Sequence, residues 1–255
     1  MKKDKLVDEI LSKKENTYLI HYSCQNLNDS NEGYSPRITS IAVLHLKSSQ
    51  MSSFSVHTIA EELKINKSEI VDHFDEIEKI IVERFFKFAE SKGENVKWVH
   101  WNMKNINFGF EHLEHRYRIL TNQEPFHINE KNRYNLSSML NHKYGPNYAK
   151  HPKMLSLMEL NGEKHRDFLT GEEEVSAFKA GEFVKMHKST MCKVYFFEMV
   201  LRKMQSNELK TETNRFKYFV NELYKNPVVQ IIGIVGIAFS IVSTIIFIIQ
   251  LIKGV

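Results

Sequence analysis

The feature that most constrains this chain is a run without a single charge, from Val228 to Ile252, in which Ile and Val dominate. Its 25 residues, wound as an α-helix at about 1.5 Å per residue, reach across a bilayer core of about 30 Å with some tilt. A helix apolar all round has no solvent face, so the sequence predicts one transmembrane helix over residues 227–253. Pro227 falls in its first turn, where proline is tolerated, and Lys253 marks the far end, followed by Gly254 and Val255. Lys210, Arg215, Lys217 and Lys225 crowd the N-terminal flank, which by the positive-inside tendency keeps the preceding body cytoplasmic. The expected arrangement is a single-pass tail anchor.

The weakly polar residues of this helix lie on one stripe. Gly233, Gly236, Ser240 and Ser243 follow one another at steps of three, four and three, and Gln250 lies one heptad further. Small residues on one face let helices approach closely, and hydroxyl and amide groups turned away from lipid bond between helices or line a narrow water path. The stripe predicts a homo-oligomer embedded in lipid. Enclosing a lumen with one helix per chain needs about four copies, as in a tetramer. The alternative is a passive anchor, since Gly and Ser are common in membrane helices.

The body before it holds one ordinary core: of 255 residues, 42% are hydrophobic and 26% charged. A net charge of +4 demands no nucleic-acid partner and is compatible with an anionic ligand or a membrane surface. Cys24 and Cys192 have no metal-ligand spacing, and the N-terminus, Met1-Lys2-Lys3-Asp4-Lys5, lacks the apolar stretch of a secretory signal.

Residues 1–16 read as a charged arm or short helix, and 17–205 as the folded domain. Strands are expected over Thr17–Gln25, Arg37–Lys47 and Met51–Ile59, with a polar loop from Asn26 to Pro36. Asn66 and Glu69 form a capping pair for a long amphipathic helix ending at Gly93, marked by Ile70, Phe74, Ile77, Ile81, Phe85 and Phe88. A short apolar strand, Val96–Trp101, and a helix, Gly109–Leu120, follow. Further helices are expected over Asn135–Tyr144, His151–Leu160, Glu172–Ala180 and His187–Met204, and a juxtamembrane helix, Glu212–Tyr224, within 206–226. Three strands, a helix, a strand and a helix in that order predict an α/β fold: a ribonuclease-H-like mixed sheet flanked by helices.

Three motifs in that frame carry chemistry. The first strand ends Ile20-His21-Tyr22-Ser23-Cys24. A strand-to-helix turn reads Trp101-Asn102-Met103-Lys104-Asn105-Ile106-Asn107-Phe108-Gly109. On the last helix His187 precedes Cys192 by five residues. Over residues 17–200 this set resembles the DEDDh 3′-to-5′ exonucleases, which hold two metal ions with four acidic residues and a histidine. Aligned by that resemblance, His21, Ser23, Asn107 and Cys192 stand at the acidic positions, and only His187 retains the family's residue type. A two-metal site needs carboxylates to neutralise Mg²⁺, so the resemblance implies a fold without catalytic residues, metal or cofactor.

Loss of the acids lowers the repulsion a phosphate backbone would meet, so binding can outlive catalysis. The candidate oligonucleotide contacts are His21, Tyr22, Ser23, Trp101, Asn102, Lys104, Asn107, Phe108, His187, Lys188 and Cys192. Lys104 and Lys188 supply charge, and Tyr22, Trp101 and Phe108 supply stacking surface, although core packing is equally expected of Trp101 and Phe108. His112 and His115 beside Glu111 and Glu114 have a spacing open to metal but read first as an exposed polar face, and Arg116, Arg118 and Arg133 read as solvated. Gly-rich phosphate loops, Gly-x-Ser-x-Gly, His-Glu-x-x-His and Cys-x-x-Cys do not occur.

With its membrane helix, the chain looks like the membrane effector of the Hailong type of bacterial anti-phage system. That resemblance implies an inner-membrane channel gated by a short single-stranded DNA oligonucleotide, with a ligand-synthesising nucleotidyltransferase as partner. Two other readings fit the same residues: a membrane-anchored nuclease built on His21 and His187, and a tail-anchored scaffold.

The stripe is testable on its own. Gly236→Leu or Ser240→Leu is expected to weaken self-association of the membrane helix at least tenfold, and Ala238→Leu, on the opposite side, to leave it within about twofold. Crosslinking in lipid vesicles reads the difference.

Overall fold

The computed structural model describes residues 5–25, 35–105 and 107–213, and in the C-terminal segment 227–229, 231, 232, 239, 240, 243 and 244. The body is α/β, a mixed five-stranded sheet with helices on both faces. β1 (Thr17–Cys24) runs through its centre, antiparallel to β2 (Ile38–His45), which pairs antiparallel with the edge strand β3 (Gln50–Ser55). On the other side β1 is parallel to β4 (Lys97–His100). A two-stranded ribbon, β5 (Lys104–Asn105) with β6 (Phe108–Gly109), follows β4, and β7 (Arg133–Asn135) closes the sheet parallel to β4.

The alternation of β1 assigns its side chains to two cores. Leu19 joins Ala42, Leu44 and Val99 beneath α1 (Lys5–Ser12), α5 (Leu136–Tyr144), α6 (Lys153–Leu160) and α8 (Phe183–Ser206). Ile20, Tyr22 and Cys24 join Ile41, Val43 and Trp98 on the opposite face, under α2 (Val56–Glu62), α3 (Phe74–Lys92) and α4 (Phe110–Thr121). α7 (Gly171–Lys179) leads into α8, which crosses from one core to the other: Phe183 and Met186 pack in the second, and Val194 to Met204 in the first.

Several boundaries differ from the expected ones. The third strand stops at Ser55 rather than Ile59, because Val56, Ile59 and Ala60 recur at helical spacing and are buried as the inner face of α2. The Asn66–Glu69 capping box forms, but it closes its own single turn, Lys67–Glu69, and α3 starts only at Phe74. The turn before α4 holds the β5–β6 ribbon, and β7 exists through its pairing with β4 rather than through any apolar pattern of its own. The arm is part of the body: Val7 and Ile10 are buried, and Glu9 forms an ion pair with Lys97.

In the C-terminal segment, Gly233, Gly236 and Gln250 and residues 214–226 lie outside the described residues. Among the described residues no helix is long and apolar enough to cross a membrane. The positions described there are helical, with Val228, Ile231, Ile232 and Phe239 exposed. The Ser243 hydroxyl donates to the Phe239 carbonyl at 2.8 Å, so this part of the stripe satisfies its polar group within the helix.

An ion pair lies beneath the sheet. Arg116 donates to Glu78 from Nε at 2.8 Å and from Nη2 at 2.6 Å, and Glu78 also accepts from the Ile38 backbone amide at 2.9 Å. Arg116 is therefore a buried structural cation, and Arg133, half-buried, is a structural one that pairs with Glu111 and Glu114 over the Phe110 ring; Arg118 is the surface charge expected. Arg116→Met leaves Glu78 buried with its charge uncompensated and is expected to cost about 3–5 kcal/mol in urea unfolding. The Glu78→Gln/Arg116→Met double variant recovers part of that loss.

Candidate functional site

A cavity of about 360 Å³ opens where β1, the β4–β5 turn, the start of α7 and the middle of α8 converge. Among the described residues its wall combines His21, Trp101, Asn102, Phe108, Phe168 and Met154 with one carboxylate, Glu174, and one ammonium, Lys193.

Strand alternation explains which side chains of β1 take part. His21 and Ser23 sit on the α8 side, whereas Tyr22 points to the other face, fully buried, its hydroxyl 3.0 Å from His112 Nδ1. Tyr22 is thus removed from the cavity by the period of the strand, although it supports the wall through Phe108, whose ring centroid lies 4.4 Å from its own. His112 is buried rather than exposed, and among the described residues no cluster of His, Cys, Asp and Glu is arranged to hold a metal ion.

The ion pair closes the floor. Lys193 Nζ donates to Glu174 Oε1 at 2.6 Å, and the hydroxyls of Ser23 and Ser189 donate to the same oxygen at 3.0 and 3.2 Å. Ser23 is held a second time, 2.6 Å from Thr190 Oγ1. A charge-assisted bond of this length between largely buried partners fixes both side chains. Neither residue stands in a motif of the sequence. The signal for Lys193 is its place on the inward row of α8, with Met186, Thr190 and Phe197, where a lysine must find an anion; Glu174 is hidden in the run Glu172-Glu173-Glu174, which reads as ordinary helix-start charge.

Above the floor, His21 is 5% exposed and its Nδ1 has no hydrogen-bond partner among the described residues. Burial, reinforced by the charges of Lys193 and His100, holds its pKa well below 6.5, so the ring is neutral. Phe108 and Phe197 meet it edge-on. Trp101 is stacked on Phe197, 17° from parallel, and is both a core residue and a wall of the cavity. Asn102, exposed with a φ of 50°, turns the chain out of β4 at the rim.

The remaining candidates lie elsewhere. Lys104 is exposed, its ammonium donating to Ser138 Oγ at 3.2 Å, and Asn107 is exposed in the ribbon turn. Lys188 is exposed on α8, and neither it nor Lys104 lines the cavity. Cys192 is buried in the first core with its thiol on the Ser189 carbonyl and its pKa pushed up to about 11 by burial. His187 is displaced furthest from its expected role: its Nδ1 is 2.7 Å from Ser40 Oγ and its Nε2 3.2 Å from Ser53 Oγ, so it bridges α8 to β2 and β3.

No protein-family model, curated protein or solved structure matches the chain.

Burial first, and then the neighbouring His57, lower the His187 pKa to about 4. Between that value and the ordinary 6.5 the unfolded chain binds a proton that the folded chain does not, so stability falls as pH drops through this window. His112, at about 4, and His100, at about 3, add slopes of the same sign. His187→Gln, which can keep bonds to both serines, is expected to flatten the dependence near pH 5 by up to about 1.4 kcal/mol per pH unit in urea titrations.

Proposed function

We propose that the chain is a membrane effector of bacterial anti-phage defence resembling the Hailong type: an oligomeric ion channel gated by a short single-stranded DNA oligonucleotide bound to a ribonuclease-H-like, catalytically inactive exonuclease-like domain. The observation that carries this reading is the Glu174–Lys193 pair. The one carboxylate that lines the cavity among the described residues is neutralised by an ammonium at 2.6 Å and takes two hydroxyls besides, so its charge is spent inside the protein rather than offered to a metal ion.

Other features support the reading. A mixed sheet with β1 at its centre and β2 antiparallel to both neighbours agrees with a ribonuclease-H-like frame. The cavity offers aromatic surface from Trp101, Phe108 and Phe168, and the exposed Lys104 and Lys188 supply positive charge outside it. The engagement of His187 with Ser40 and Ser53 argues against a nuclease that would need it beside His21. The exposed apolar residues Val228, Ile231, Ile232 and Phe239 are what a helix surrounded by lipid presents.

The full-length protein in lipid vesicles is expected to leave a labelled single strand intact in millimolar Mg²⁺ or Mn²⁺ while binding it, with affinity falling as salt rises. Lys104→Glu or Lys188→Glu should weaken that binding, and ligand should change ion flux. Metal-dependent shortening of the strand would refute the inactive-domain reading, and a flux absent under all ligand conditions would favour a passive anchor.

A further inference from the structure

The charge balance of the cavity says which part of an oligonucleotide it can receive, given the reading just proposed. A phosphate needs uncompensated positive charge, and Lys193, the only Lys or Arg lining the cavity among the described residues, is already paired with Glu174. An entering phosphate would face the carboxylate as closely as the ammonium, and in a partly desolvated site the two effects cancel.

A neutral heterocycle meets a better match. Trp101, Phe108 and Phe168 give it apolar faces to pack on. Among the described residues His21 Nδ1 has no hydrogen-bond partner, although the residue lines the cavity and only 5% of it is exposed. Among the described residues Glu174 receives three hydrogen bonds, from Ser23, Ser189 and Lys193, all on Oε1 and none on Oε2, so Oε2 is an acceptor for a group in the cavity. A buried hydrogen-bonding atom without a partner is costly unless a ligand or water completes it. At about 360 Å³ the space lies near the lower end of ligand clefts, which start at about 300 Å³.

We propose that this cavity reads one nucleobase rather than a phosphate: the base packs between Trp101, Phe108 and Phe168, places N–H or amino groups on Glu174 Oε2, and completes the bond missing at His21 Nδ1. The phosphates stay outside, within reach of solvent-exposed lysines. Base recognition in this form needs no divalent ion.

The test uses the full-length protein in detergent, with EDTA present. Trp101 lines the cavity, and Trp98, the other tryptophan, is buried in the second core, so emission quenching that a Trp101→Phe variant loses reports occupancy. Deoxynucleosides are expected to quench it and to displace a labelled single-stranded hexanucleotide of mixed sequence, while 2-deoxyribose 5-phosphate does neither. Phe108→Ala, at a half-buried position, should weaken nucleoside binding at least about tenfold. Glu174→Gln frees the Lys193 charge, so the sugar phosphate should begin to compete.

The inference is overturned if the sugar phosphate competes with the unaltered protein and nucleosides do not, if EDTA abolishes nucleoside binding, or if Glu174→Gln leaves the sugar phosphate without effect. A hexanucleotide that binds without any competition from nucleosides overturns the base assignment and keeps the oligonucleotide reading. Nucleosides that bind where the hexanucleotide does not uphold the base site and remove the oligonucleotide reading, and binding by neither removes both.

Discussion

The structure depends on β1 being enclosed on every side. It is hydrogen-bonded along both edges, to β2 and β4, and covered on both faces, so each of its side chains but the half-buried Tyr18 must suit one of two dry environments. Apolar residues meet that condition at Leu19 and Ile20, and the polar ones meet it only by finding partners: Thr17 on the carbonyl of Lys13, Tyr22 on His112, Ser23 on Glu174 and Thr190. His21 is the exception. A strand this constrained fixes the direction of its side chains, and that direction puts a neutral imidazole at the cavity and a tyrosine behind it.

Two of the largely buried acid–base pairs differ in kind. Glu78 and Arg116 form a two-bond fork that also holds the Ile38 amide, and they tie α3, α4 and the start of β2 together. Glu174 and Lys193 join α7 to α8 at the edge of a cavity, with 15% and 7% of their side chains exposed. The first pair is masonry. The second remains in contact with whatever fills the cavity, so its charge balance is a property of the site.

Much of the fold was legible from sequence because periodicity and burial agree. The first two strands, α3 from Phe74 onward, and α4 to α8 carry patterns strong enough to locate them within a few residues. β7 was not legible, since Arg133-Tyr134-Asn135 has no apolar signature and becomes a strand only through β4. The site was read in part. His21, Trp101, Asn102 and Phe108 line the cavity, whereas the two-residue period of β1 turns Tyr22 to the other face, and His187 and Cys192, placed by the exonuclease resemblance, lie against Ser40 and Ser53 and in the first core. Glu174 and Lys193 escaped because a charged residue gives no sign in sequence that its partner lies 19 positions away.

α8 binds these parts to one another by its length. From Lys193 to Ser206 it continues without interruption for about 20 Å, and its end is clamped by Lys143 on the Met204 carbonyl and by Lys203 on the Asn161 carbonyl. A helix is stiff along its axis, so it behaves as a strut rather than a spring. Lys193, at the cavity, and Lys203, at the Asn161 corner, are therefore two points on one rod, about 15 Å apart along its axis.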